Sequence, residues 1–295
     1  MGENYVGRFA PSPTGPLHLG SLYIALASYL DAKHHGGRWL IRIEDVDRQR
    51  SVKGLDAVIV KTLSQHGLVS DGPIVYQSDN DADYNQLINT LFSKHQCFFC
   101  SCSRKTLRNF QGYPGYCREQ IEPKPLSAIK LKVNASDLTT FNDRYLGHLT
   151  PQLIRHEEYC DFILKRKEGF FSYHLACTFD DAKQGITHVL RGVDLVNCTF
   201  EQCYLFQLLN FKPPLFCHLP ILTNQQGIKL SKQNLAKPID NKNAFDNLLR
   251  CLELLHQPRP LFIAKGDVQG LLKFAIKNWS LHHIPKNQKK IPINE

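Results

Sequence analysis

Short apolar runs and one helical stripe dominate the first fifty residues. The apolar run 6–9 predicts a strand, and the proline-rich segment 10–16 interrupts regular structure. Apolar side chains then recur at helical spacing across 18–35, and two glycines end that helix. Residues 39–43 form a second apolar run and predict another strand. The order strand, loop, helix, strand is the start of a βαβ unit, which predicts an α/β fold.

The same patterns recur along the rest of the chain. Residues 51–66 predict a second helix, and strands are predicted at 128–133 and 162–165. Helical stripes return over 245–255 and 271–279. The last dozen residues carry three lysines and two prolines, and this composition predicts a frayed end.

The composition is that of a globular protein with a basic balance. The chain has 295 residues, of which 42% are hydrophobic and 21% charged, enough for a core that needs no covalent staples. No apolar run of about 18 residues indicates a membrane span, and no secretory signal is visible, so we expect a cytoplasmic protein. The net charge of +9 favours a polyanionic partner, although charge alone does not locate a surface.

The loop before the first predicted helix is a candidate nucleotide site. It runs Pro-Ser-Pro-Thr-Gly-Pro-Leu-His-Leu-Gly-Ser from Pro11 to Ser21. Backbone N–H groups and the dipole at a helix start favour negative charge. His18 can donate a hydrogen bond to a phosphate oxygen, and Gly20 allows a ring or phosphate to approach the backbone. Considered alone, a tight turn capped by His18 explains the loop equally well.

A second candidate is Lys229-Leu230-Ser231-Lys232, about 210 residues later. Two lysines three apart share one face if the segment coils, and Ser231 adds a hydroxyl donor. Such a cluster could neutralise a triphosphate as charge moves to the leaving group. Considered alone, a solvated pair of lysines is the simpler explanation.

Together, the two segments resemble the signature motifs of class I aminoacyl-tRNA synthetases. The first is similar to their HIGH motif and the second to their KMSKS motif, with Leu230 in the place of methionine. Further segments resemble glutamyl-tRNA synthetases in register from about residue 5 to 233: Arg8-Phe-Ala-Pro-Ser, Arg42-Ile-Glu-Asp-Val-Asp-x-x-Arg50, Tyr173-His-Leu-Ala, Asp180-Asp181 and Ile186-Thr-His-Val-Leu-Arg-Gly-x-Asp194. The resemblance implies a Rossmann-type catalytic domain.

The resemblance also implies the residues of the active site. For ATP they are Pro11, His18, Gly20, Ser21, Lys229, Ser231 and Lys232, with His18 and Lys232 in the catalytic role. For glutamate they are Arg8, Ala10, Ser12, Glu44, Tyr173 and Arg191. Glu44 and Tyr173 would hold the amino end, and Arg191 and Arg8 the side-chain carboxylate. An acidic residue and arginines suit an amino acid with two carboxylates, although Glu44 and Arg8 could instead form a structural ion pair.

The length after the second motif favours a short member of this group. Only 62 residues follow Gln233, which we expect to be too few for the large helical anticodon-binding domain of glutamyl-tRNA synthetases. This short length resembles that of the glutamyl-Q tRNA(Asp) synthetase family, whose members activate L-glutamate with ATP and Mg²⁺ without tRNA. They transfer the glutamate to queuosine in the anticodon of tRNA(Asp). A truncated enzyme that charges tRNA(Glu) and a non-catalytic RNA-binding paralogue are the alternatives, and we expect a monomer.

A cysteine cluster predicts a metal site. Four of the ten cysteines fall within 21 residues: Cys97, Cys100, Cys102 and Cys117. Such a cluster suggests zinc in a protein with reduced thiols, and spacing alone offers Cys97 or His95 as the fourth ligand. The short paralogues carry Cys-x-Cys…Tyr-x-x-x-Cys, so the resemblance implies one structural Zn²⁺ on Cys100, Cys102, Tyr113 and Cys117. Free thiols are the simpler alternative.

We therefore predict four regions. Residues 1–96 form the first half of the catalytic domain and 97–125 a zinc-binding insertion. Residues 126–236 form the second half, with the Lys-Leu-Ser-Lys loop, and 237–295 a short helical segment.

Overall fold

The computed structural model describes residues 5–110, 113–151, 161–230, 236–286 and 288–293. The helices are α1 (Leu19–His34), α2 (Leu55–Gln65), α3 (Asp81–Ser93), α4 (Arg104–Leu107), α5 (Tyr173–Lys183), α6 (Val196–Leu208), α7 (Ala244–Leu254) and α8 (Val268–Asn278). The strands are β1 (Val6–Phe9), β2 (Arg38–Ile43), β3 (Val75–Tyr76), β4 (Cys97–Cys100), β5 (Ala128–Leu131), β6 (Phe141–Asp143), β7 (Gly147–Leu149), β8 (Phe162–Lys165), β9 (His188–Gly192), β10 (Leu215–Leu219), β11 (Ile221–Thr223) and β12 (Lys290–Pro292). Across these ranges, no helix has the length and apolar character that crossing a bilayer requires.

A five-stranded parallel sheet is the centre of the fold. Its order is β10-β9-β1-β2-β3, and every neighbouring pair runs parallel. The chain leaves β1 through α1 towards β2 on one side, while β9 lies on the other side. Open α/β sheets bind ligands beyond the carboxyl ends of strands at such a point of divergence. The predicted α/β fold is confirmed, and the sheet order locates the place to look for a site.

Burial on both faces explains why β1 and β2 form as predicted, since the last three residues of β1 and the last five of β2 are buried. Trp39, Ile41 and Ile43 of β2 lie in the main core together with the apolar side chains of α1, and Leu40 lies in a separate cluster. The helix predicted at 51–66 begins later, because a turn and the left-handed Gly54 (φ 83°) precede it.

Two smaller antiparallel units flank the parallel sheet. Strands β4, β5 and β8 form a three-stranded sheet, which enters the second core cluster. The hairpin β6–β7, which we did not predict, lies against β10, where the N–H of Arg144 donates to the carbonyl of Phe216 at 2.8 Å. The hairpin therefore places Asp143, the last residue of β6, next to His218 of the edge strand β10.

The C-terminal part packs back onto α1. The two predicted helical stripes form α7 and α8, and both helices contact α1. The prediction of a frayed end is wrong for residues 288–293, because β12 pairs in parallel with β11. Ile291 and Ile293 alternate into the main core and are 8% and 4% exposed. The lysines and prolines around these two isoleucines concealed a strand whose backbone finds a partner.

Candidate active site

A cavity of about 730 Å³ opens where β1, β2 and β9 end. Of the thirteen residues predicted for ATP and glutamate, eleven line this cavity: Arg8, Ala10, Pro11, Ser12, His18, Gly20, Ser21, Glu44, Tyr173, Arg191 and Lys229. The other two, Ser231 and Lys232, lie outside the described residues. Side chains from distant parts of the sequence thus meet around one space large enough for a small-molecule ligand.

The loop after β1 builds one end of the cavity. Two backbone hydrogen bonds attach it to the segment after β2, from the N–H of Glu44 to Pro11 (3.0 Å) and from the N–H of Val52 to Pro13 (2.9 Å). His18 then caps α1, and its Nδ1 accepts from the N–H of Ser21 at 3.3 Å. Because a backbone N–H can only donate, the proton of the neutral imidazole lies on Nε2. The ring therefore caps the helix through Nδ1.

Gly20 lies directly under the imidazole of His18. A Cβ added at Gly20 would lie 3.1 Å from two ring atoms of His18. We predicted this glycine as a point of ligand approach, but the structure gives a simpler reason for a glycine at this position. A side chain at this position would push the capping ring away by a few tenths of an ångström.

The second signature loop lies beside the first. The Lys229 ammonium forms an ion pair with Asp194, which also lines the cavity. Beyond the undescribed residues, Pro238 forms an isolated antiparallel bridge with His18, and the N–H of Ile239 donates to Leu17 at 2.9 Å. The described residues on both sides of Ser231 and Lys232 therefore adjoin the start of α1.

Arg191 of β9 is a buried cation whose hydrogen-bond partners are neutral. It donates to Tyr173 Oη (3.2 Å), to Thr199 Oγ1 (2.7 Å) and to Gln202 Oε1 (2.8 Å). Its Nε–H donates to His218 Nε2 at 3.0 Å. Arg191 is 4% exposed, and among the described residues no carboxylate lies within ion-pair distance of it. A buried cation usually has an anionic partner, so a carboxylate is the expected ligand in the cavity beside Arg191.

Arg8 differs, because a carboxylate already holds it. Its Nε lies 3.0 Å from Asp181, and Asp181 also accepts from Arg42 at 2.7 Å. Burial opposes ionisation of Asp181, but the two guanidinium groups lower its pKa to about 2. The structural ion pair that we considered between Arg8 and Glu44 is therefore wrong, and Asp181 takes that place.

Glu44 is an acidic group that lines the same cavity as Arg191. Its Oε1 is buried without a hydrogen-bond partner among the described residues, and the nearest cation, Arg42, lies 4.0 Å away. Burial raises the pKa of Glu44 to about 7, although Arg42 and Arg8 partly offset this. A carboxylate that lines a cavity and lacks a donor is suited to bind an ammonium group.

The sequence analysis gave no role to several residues near the site. Three of them are charged and do not line the cavity: Arg42, Asp181 and Asp143. His218, on β10, links Asp143 to Arg191. Arg42 and His218 each lie inside an apolar strand, and a polar residue there indicates a buried partner. That signal could have identified both residues, but not their partners.

The predicted metal ligands converge in a separate place. The sulfur atoms of Cys100, Cys102 and Cys117 lie within 4.8 Å of one another. Tyr113 Oη lies 3.6 Å from Cys100 Sγ and accepts the N–H of Cys117 at 2.7 Å. Cys97 instead packs in the second core cluster, and His95 is not part of the group.

Comparison with known proteins gives the family. The model of the class I tRNA synthetases (E and Q), catalytic domain, matches residues 5–250. The glutamyl-Q tRNA(Asp) synthetase of Yersinia pestis is 42% identical over 282 residues, which cover 95% of this chain and 87% of that protein. That of Ectopseudomonas mendocina is 41% identical over 289 residues, which cover 98% and 97%.

A solved structure shows the same fold. The glutamate tRNA ligase of Elizabethkingia meningosepticum, in complex with its amino acid, superposes with a TM-score of 0.77 at 24% identity. The match covers 98% of this chain and 67% of that one. The chain therefore belongs to the class I (E and Q) tRNA synthetase family, together with the glutamyl-Q tRNA(Asp) synthetases.

Proposed function

We propose that this protein activates L-glutamate with ATP and transfers it to the queuosine base in the anticodon of tRNA(Asp). One observation carries the proposal: within the described ranges, the same cavity holds a buried guanidinium without a carboxylate partner, that of Arg191, and a carboxylate oxygen without a hydrogen-bond donor, Oε1 of Glu44. These opposite charges complement an amino acid that has a carboxylate side chain. The names of the relatives supply the acceptor, queuosine in tRNA(Asp).

The residues divide by charge. Glu44 binds the ammonium group of glutamate, with Tyr173 beside it. Arg191 binds the side-chain carboxylate with charge-assisted hydrogen bonds. Arg8 is already paired with Asp181, so it contributes field to the cavity more than direct contact. Ala10 and Ser12 line the space between these groups.

The first step forms a mixed anhydride. An oxygen of the glutamate α-carboxylate attacks the α-phosphorus of ATP, the bond from that phosphorus to the bridging oxygen breaks, and pyrophosphate leaves. His18, Lys229 and Lys232 stabilise the charge that develops on the phosphates, while Pro11, Gly20, Ser21 and Ser231 shape the nucleotide end. Mg²⁺ enters with ATP and neutralises phosphate charge when bound. Positioning and charge stabilisation thus supply the catalysis.

The second step moves the glutamyl group. A hydroxyl of the queuosine ring attacks the carbonyl of the anhydride and an ester forms. AMP leaves with the electron pair of the broken bond, and its phosphate takes up the proton of the hydroxyl. An unstacked base of an anticodon loop can enter such a cavity. The net charge of +9 favours the RNA backbone.

We also propose that the cysteine group holds one structural Zn²⁺. Zinc–sulfur bonds of about 2.3 Å in a tetrahedron place ligand atoms a little under 4 Å apart. The 3.6 Å separations between Cys102 and Cys117 and between Cys100 and Tyr113 fit that arrangement. Four protein ligands leave no open position, so the zinc would order the surrounding segment rather than take part in the reaction.

Two assays test the proposed function, each on full-length, zinc-loaded protein. Glutamate-dependent ATP–pyrophosphate exchange without tRNA is the expected first result, and its absence would favour a non-catalytic RNA-binding protein. Transfer of labelled glutamate is then compared on tRNA(Asp) with and without queuosine, and on tRNA(Glu). Equal transfer with and without queuosine would contradict the acceptor, and charging of tRNA(Glu) would favour a truncated glutamyl-tRNA synthetase.

A further inference from the structure

The hydrogen bonds beneath Arg191 form a chain that ends on a carboxylate. Arg191 Nε donates to His218 Nε2 at 3.0 Å, and His218 Nδ1 lies 2.7 Å from Asp143 Oδ2. His218 is fully buried, and so is the side chain of Asp143. The three residues come from β9, β10 and the β6–β7 hairpin.

The chemistry of the donors fixes the proton positions in this chain. A guanidinium can only donate, so His218 Nε2 must accept. The imidazole proton then lies on Nδ1 and donates to Asp143. Burial lowers the pKa of His218 to about 4, so the ring is neutral at ordinary pH.

Asp143 is itself held in one orientation. Its Oδ1 accepts from the N–H groups of Tyr145 (3.0 Å), Leu146 (2.9 Å) and His218 (3.2 Å). Only Oδ2 faces the imidazole. The two oxygens therefore have different environments, and the hairpin determines which one meets His218.

The neutral ring separates Arg191 from its countercharge. Arg8 and Arg42 contact Asp181 directly, so much of their charge is already compensated. Arg191 reaches Asp143 only through an imidazole, which orients the guanidinium and leaves its charge to the cavity. A carboxylate in direct contact would instead compete with a bound carboxylate.

We propose that His218 and Asp143 are positioning residues that fix the orientation of Arg191 for a carboxylate ligand. This inference rests on the proposed function, since it takes the glutamate side chain as that ligand. It adds two residues that touch neither glutamate nor ATP, and it gives the β6–β7 hairpin a role in substrate affinity.

Asp143→Asn is the sharpest test, because it changes one atom. The three backbone donors require the amide oxygen at the Oδ1 position, so the NH₂ group faces His218 Nδ1. The imidazole must then carry its proton on Nε2, where it opposes the Nε–H of Arg191. We expect the KM for glutamate in pyrophosphate exchange to rise about tenfold to a hundredfold, with kcat within about threefold of wild type.

Asp31→Asn is the matched control. Asp31 is also buried, and it pairs with Arg144, the residue that follows Asp143, but it does not line the cavity. We expect a lower melting temperature and an unchanged KM for glutamate. An equal rise of KM in both variants would show that Asp143 acts only through the stability of the hairpin and would overturn the inference.

His218 variants and a spectroscopic signal complete the test. His218→Gln keeps an acceptor for Arg191 and a donor for Asp143, so we expect its KM for glutamate to stay within about fivefold of wild type. His218→Leu keeps neither, so its KM for glutamate should rise by more than that.

The ¹⁵N resonances of the imidazole, assigned by their loss in His218→Gln, should report Nδ1–H in the wild type and Nε2–H in Asp143→Asn. A folded Asp143→Asn protein with wild-type KM or wild-type tautomer would overturn the inference. Absence of exchange in the wild type would instead overturn the proposed function, and with it the role of glutamate here.

Discussion

The two ends of the cavity are built from different kinds of structural element. At the proposed glutamate end, Arg8 and Arg191 come from strands and Tyr173 from a helix, and Arg191 is buried and donates four hydrogen bonds. At the proposed nucleotide end, they come from the loop before α1 and from the loop of Lys229, where Lys229 pairs with Asp194 and the two side chains are 45% and 31% exposed.

This difference corresponds to two tasks. Selection between similar amino acids requires a rigid site in which a missing partner leaves a buried group unsatisfied. A triphosphate carries high charge, and backbone N–H groups and lysine ammonium groups can stabilise that charge as it shifts. The rigid end should therefore govern affinity and selectivity for glutamate, and the loop end should govern the rate.

Removal of Arg191 should give the largest effect at the rigid end. Arg191→Ala leaves His218, Thr199 and Gln202 without their donor, and the ligand carboxylate without a cation. We expect kcat/KM for glutamate in pyrophosphate exchange to fall about a thousandfold or more. Arg191→Lys keeps the charge without the planar fork, so its kcat/KM should lie between those of the wild type and Arg191→Ala. Near-normal exchange in Arg191→Ala would show that another arginine binds the carboxylate.

Loss of the His18 ring tests the loop end and should act on the rate. In His18→Ala we expect kcat to fall about a hundredfold while the KM for glutamate changes little. His18→Asn is the control, because its side-chain oxygen can accept the N–H of Ser21 and restore the helix cap. Recovery of thermal stability without recovery of kcat would separate the two roles of His18. Full kcat in His18→Ala would reduce the residue to a cap.

The pH dependence of glutamate affinity sharpens the comparison through Glu44. Its pKa of about 7 means that the carboxylate becomes protonated just below neutral pH and loses its attraction for an ammonium group. We expect kcat/KM for glutamate to fall about tenfold between pH 7.5 and 6, and Glu44→Gln to give a lower and flat profile. A wild-type profile without this step would contradict the assignment of Glu44.

The stability of the wild type should change with pH in the direction opposite to its affinity for glutamate. The folded-state pKa of Glu44 lies above the ordinary value of 4.5, so ionisation of Glu44 destabilises the fold. Glu44→Gln should therefore melt at a higher temperature than the wild type at pH 8, and the difference should vanish below about pH 5. Equal melting temperatures at pH 8 would show that the carboxylate is better solvated than its burial suggests.

The sequence predicted the parts of the site that have local signals. The βαβ start, the helix cap at His18 and the cysteine spacing can each be recognised within about forty residues. The partners that determine charge cannot, because Asp181 lies 139 residues from Arg42 and Asp143 lies 75 residues from His218. Spacing along the chain carries no information about such pairs. The strand at 290–292 was missed for a related reason, since its partner β11 lies about 70 residues away.

Metal removal should have the smallest effect on either end of the cavity. None of the predicted zinc ligands lines the cavity, so we expect chelation to change the KM for glutamate by less than about twofold. The same treatment should expose the segment around Cys100–Cys117 to trypsin, because a structural zinc site contributes directly to local folding. Trypsin cleaves there after Arg104, Lys105, Arg108 and Arg118.

Cys102→Ser should reproduce this sensitivity and lose bound zinc, whereas Cys97→Ser should retain one zinc per chain, since Cys97 packs in the second core cluster. Tyr113→Phe then decides the fourth ligand: unchanged zinc affinity would remove Tyr113 from the site. A glutamate KM that rises on chelation as much as in Arg191→Ala would show instead that the two regions are one cooperative unit, and the separation of affinity from local order would fail.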